Sequence, residues 1–176
     1  MELPGEVYLF NLSLLAVTVA VISTLVMLVR QTLGGKLSAF DVYLVGAYIS
    51  IGFAIALDAI LPSVVHMFEP PTALMWTIAS ALAAVILAGV MINNYRNRQR
   101  AAKGQPVGPG VVAAYSLHLI AALLLTLNAA VPALQSLRLF AGALTLSLAT
   151  LMWSFVRRIA SLGGEMPSED WDPKRG

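Results

Sequence analysis

Cysteine is absent from the 176 residues. Its absence excludes disulfides, iron–sulfur clusters, thiolate zinc sites and thiol-based exchange with quinones, and it leaves the redox compartment unread. Charge is also scarce: Asp, Glu, Lys and Arg make up 11% of the chain, where a soluble domain has about 25%. The formal net charge of +2 is too small to call for nucleic acid, and the basic residues stand in short clusters beside apolar runs. The sequence has no histidine pair with zinc-protease spacing, no phosphate-cradling glycine loop followed by lysine and no Gly-x-Ser-x-Gly turn. With one aspartate inside an apolar run, a two-aspartate intramembrane protease would need a second subunit. The expectation is a protein that is not an enzyme.

What the chain has in excess is apolar surface. Hydrophobic residues make up 59% of it and the mean hydropathy is +0.81, too apolar for a water-soluble fold. At about 20 residues per crossing, the runs near 8–29, 42–65, 72–92, 111–128 and 132–156 predict an all-α polytopic bundle of five spans. Residues 1–162 would form this domain, and 163–176 a flexible cytoplasmic tail in which Trp171 can anchor at the interface. Glu2 and Glu6 precede the first run where a secretory signal carries basic residues, so that run is read as a span.

The breaks between runs have physical causes. Gly34-Gly35-Lys36 closes the first hairpin and Glu69-Pro70-Pro71 the second. The polar stretch Asn93–Arg100 reads as the longest internal loop, continued by Gly104–Gly110. Pro132 suits the first turn of a fifth helix, and one helix from Val111 to Arg158 would conflict with it. Arg30 and Lys36, then Arg96, Arg98, Arg100 and Lys103, then Arg157, Arg158, Lys174 and Arg175 all fall on one side of a five-span chain. By the positive-inside rule that side is cytoplasmic, with the N-terminus out and the C-terminus in, in a plasma or inner membrane.

Asp58 lies well inside the second run, and a carboxylate there costs a few kcal/mol in lipid. Four residues on, Pro62 lacks an N–H, which leaves the backbone carbonyl of Asp58 without its helical donor. Carboxylate and free carbonyl together suit a cation or a proton. The structural alternative is an ion pair with Arg138 in the same half of the bilayer, and the blandest is a neutral aspartate with no role.

His118 shares a helical face with Tyr115 and Thr126 in the fourth run, a stripe that can line a wet path. Such a face more often serves as interhelical hydrogen bonds. His66 belongs at the outer interface and His118 nearer the midplane, too far apart to sandwich one haem within a monomer, so no cofactor is expected. Ser147, Thr150 and Ser154 form a further hydroxyl face, and Asn11 with Thr18 another. Gly46, Ser50 and Ala54 repeat every four residues, as do Ser80, Ala84 and Ala88. Both are small-residue stripes that let helices approach, within one chain or between copies. Trp76, Tyr95 and Trp153 read as interfacial belt aromatics, and the Arg96–Lys103 cluster can attract anionic lipid.

Together these features point to a small homo-oligomeric channel or transporter, with an ion or proton path involving Asp58, His118 and Tyr115. The alternative is a non-catalytic membrane subunit or scaffold that binds other transmembrane helices through its small-residue stripes. Membrane lipids and further copies of the chain are the expected partners, another membrane subunit a possible one, and nucleic acid is not among them.

Overall fold

The computed structural model describes residues 5–32, 39–102 and 108–163, and among them there is helix but no strand. Five long helices follow in chain order: α1 (Glu6–Thr32), α2 (Ala39–His66), α3 (Thr72–Ala101), α4 (Pro109–Ala130) and α5 (Leu137–Gly163). All five are long and apolar enough to cross a membrane, so the fold is that of an integral membrane protein. The hairpin at Gly34–Lys36 and the tail 164–176, including Trp171, lie outside the described residues.

Each helix packs on the next in the chain, α5 returns to touch α1, and α2 also packs on α5. The seam is made of side chains almost wholly shielded, among them Ala16, Ile55, Leu87, Leu125, Phe140 and Leu144. Outward the helices present Phe10, Leu25, Phe53, Leu82, Leu119 and Leu123, all exposed. An apolar coat of that extent has lipid for its solvent.

In lipid there is no hydrophobic drive between helices, so close approach and polar ties hold the bundle. The tightest approach is at Gly52, where an added Cβ would lie 2.9 Å from both the Ala16 carbonyl oxygen and the Ala20 Cβ. The predicted stripe on α2 is on roughly the opposite side of the helix from this crossing, two residues away in sequence from Gly52. Ala54 is buried, Ser50 bonds to Asn94 of α3, and Gly46 is exposed with nothing near its Cβ position. On α3 Ser80 is fully buried, and Ala84 and Ala88 are half-buried behind it.

Three boundaries differ from the sequence expectation. The stretch Asn93–Arg100 is the last part of α3 and not a loop, because Arg and Gln are good helix formers and no Gly or Pro interrupts before Gly104. At 30 residues, α3 is about 45 Å long and exceeds the roughly 30 Å hydrocarbon core. Pro132 starts a separate 3-10 turn, Pro132–Leu134. α5 begins after Ser136, whose Oγ accepts the Leu139 N–H at 3.3 Å as an N-cap. Trp76 is not a belt residue: it is buried and packs on Phe140, ring centroids 5.7 Å apart.

Candidate functional site

Asp58 is 0% exposed, and neither of its carboxylate oxygens has a hydrogen-bond partner. Helix α2 runs unbroken through Pro62, so the Asp58 carbonyl lacks its i+4 donor as the sequence implies. The alternative of a pair with Arg138 is not formed: Arg138, in the first turn of α5, is exposed, while Asp58 is sealed inside the bundle without a partner. Depth along the helix therefore suggested a pair that side-chain direction forbids.

Asp58 lies about two helical turns from the α2–α3 hairpin, and Ser80 about two turns beyond it on α3. Ser80 accepts a hydrogen bond from Asn128 Nδ2 at 2.7 Å, while Asn128 Oδ1 accepts the Ser136 N–H at 2.9 Å. Gln135 donates to Thr77 Oγ1 at 2.7 Å. These bonds fasten the α4–α5 connection against α3 and satisfy the amides there.

His118 and Tyr115 belong to a different place. They line a cavity of about 380 Å³ at the opposite, arginine-rich end of the bundle, enclosed by α2, α3, α4 and α5. His118 is at its floor, with Nδ1 2.9 Å from Ser147 Oγ. The Tyr115 hydroxyl is 3.2 Å from that of Tyr43, and its ring meets Tyr95 edge-on at 5.8 Å. Thr126 takes no part, since its hydroxyl donates to the Ala122 carbonyl of its own helix. Thr150 likewise bonds back to Leu146, and the Ser154 carbonyl accepts the Tyr48 hydroxyl at 3.2 Å.

At the cavity mouth Arg158 and Asp41 form an ion pair with N···O 2.6 Å, and Arg157 lies 5.1 Å above the Trp153 ring. Arg98 is 5% exposed, its Nε without a partner, close behind the Tyr43–Tyr115 pair. Sequence reasoning passed over Asp41, Tyr43, Asn94, Arg98 as a buried group, Asn128 and Gly52. A signal for Asp41 existed: among the described acidic residues it alone falls at the arginine-rich end, in the first turn of α2, where a helix favours an anion.

Asp41, Tyr48, Ile51, Ile55 and Asp58 are spaced seven, three, four and three residues apart, one continuous face of α2. Tyr48 and Ile51 line the cavity, and Asp58 lies beyond its floor on that face. Ile51 and Asp58 are separated by about 10 Å of helical rise. Ile55, fully shielded, stands between them on that face. No group of three or more potential metal ligands occurs among the described residues. No family model, curated protein or solved structure matches the chain.

Proposed function

We propose that the protein carries a proton or a small cation across its membrane, with Asp58 as the group that holds the charge in transit. The observation that carries this reading is the Asp58 carboxylate itself, wholly enclosed and without a partner on either oxygen. A membrane protein keeps so costly a group where it has work to do. The carbonyl freed by Pro62 adds an oxygen ligand or a water anchor beside it.

On α2 the wholly shielded Ile55 stands between Ile51 at the cavity and Asp58, which favours a carrier over an open pore, because passage requires the helices to part. His118 and Tyr115 serve as the approach from the arginine-rich side, which the positive-inside rule makes cytoplasmic, with the N-terminus outside. Since Asp58 is enclosed by its own chain, copies assembled in the membrane act in parallel and share no axial path.

The test is flux of protons and of monovalent cations into liposomes holding native protein or Asp58→Asn, matched for incorporation and oligomeric state. Flux in the native protein that Asn abolishes or re-selects supports the proposal. Absence of flux from native protein at both voltage signs would overturn it, leaving the reading of a non-catalytic subunit, to be pursued by co-purification.

A further inference from the structure

The cavity at the arginine-rich end has a graded wall. Its mouth is set by Arg157 and Arg158, its middle by Tyr43 and Tyr115, and its inner part by Ile51 and Leu151. Asp41 offsets Arg158. Among the described residues, Arg157 is set against the Trp153 face and the start of α4, where an added Cβ on Gly110 would run into its guanidinium. The two tyrosine hydroxyls share one hydrogen bond, so one O–H proton remains to donate. Arg98, buried behind them, adds positive charge and keeps an unpartnered Nε.

We propose that this cavity binds an amphipathic anion, a single apolar chain ending in a phosphate or carboxylate, with its head at Arg157 and its chain directed toward Leu151 and His118. Charge complementarity selects the head: the mouth has more guanidinium than carboxylate among the described residues, and a tyrosine donor just inside. Size selects the chain. A volume of 380 Å³ holds on the order of a dozen water-sized groups, enough for one short chain and too little for the two chains of a diacyl lipid. The proposal rests on this cavity and not on transport through Asp58; a bound anion offsets the arginine charge at the mouth and closes the approach at His118 and Tyr115 while it stays.

The test is saturable binding of radiolabelled dodecyl phosphate to the full chain in nanodiscs of zwitterionic lipid, with empty nanodiscs as background and dodecanol as the uncharged comparison. One dodecyl phosphate per chain is expected, bound at least tenfold more tightly than dodecanol. Arg157→Gln should weaken the phosphate about tenfold and leave dodecanol unchanged, whereas Ala114→Leu, which fills the cavity wall, should weaken both. Binding must be compared at equal thermal stability of the variants. Displacement by an anionic diacyl lipid added to the nanodisc would identify one chain of a membrane lipid as the source of the ligand. Failure of that lipid to displace would identify a free amphipathic acid. Equal affinity for phosphate and alcohol, no saturable site in the native protein, or indifference to both substitutions would overturn the proposal.

Discussion

Replacing Asp58 by Leu tests whether the carboxylate is held for its chemistry at the expense of stability. The two side chains branch alike, so Leu fits the space with little more than the difference between two methyls and two oxygens. Asp58 has no hydrogen bond to lose, and burying an unsatisfied polar group costs roughly 1–3 kcal/mol in proteins. Insertion scales separate Asp from Leu by about 3–4 kcal/mol at a helix centre, which bounds the gain from above. Overfilling by the larger methyls returns part of it, leaving an expected net stabilisation of about 1–2 kcal/mol. The assay is reversible unfolding in mixed micelles, titrating a denaturing detergent and following helix content, with Asp58→Asn in parallel. Leu should raise the midpoint, and Asn, which keeps an unmet hydrogen-bonding demand, should move it little. Destabilisation of Leu by more than about 1 kcal/mol would refute the reasoning, since it would mean that the carboxylate makes a bond worth more than its burial costs.

Gly52→Ala should destabilise the bundle by about 1–3 kcal/mol in the same assay, because the added methyl meets the Ala16 backbone oxygen and not a movable side chain. Gly46→Ala, with open space at its Cβ, should be neutral or slightly stabilising, so equal effects at the two glycines would count against the crossing described. Asp41→Asn should cost about 1–3 kcal/mol by removing the carboxylate from Arg158, and exchanging the two charges should recover part of the loss in a double-mutant cycle. Since the chain has no cysteine, single cysteines report topology cleanly. Glu69→Cys should react with an impermeant maleimide from outside the cell and Ala101→Cys only after permeabilisation, and the reverse pattern would invert the orientation.

The five spans were legible because apolar length is a property of consecutive residues. Each of the five helices contains most of the run predicted for it, and the errors fall at the ends, where periodicity gives no stop signal. Asn93–Arg100 looks like a loop because it is polar, yet polarity marks the exit from lipid and not the end of a helix. Pro132 marks the break between the fourth and fifth spans, but a proline that suits a first helical turn also suits a 3-10 turn. Asp58 stood out because a lone carboxylate in an apolar run is costly wherever it points. Its lack of a partner could not be read, because Arg138 is near it in depth and turned away from it in direction. The cavity was half legible: Tyr115 and His118 share a face of α4, but Tyr43, Arg157 and Arg158 come to them only through the packing of three further helices.

The face of α2 that carries Asp58 also has consequences for how the protein is made. Asp41 and Tyr48 on that face are tied to α5, through Arg158 and the Ser154 carbonyl. As the chain leaves the ribosome, α2 enters the membrane with its carboxylate before the helix that covers this face has been synthesised. Residues 67–136 must follow before α5 begins. In that interval this face of α2 lacks its α5 partners, and a carboxylate left toward lipid costs a few kcal/mol. Truncation before Leu137 should therefore leave α2 hard to retain in the bilayer and open to quality control, although its own run is apolar enough to span.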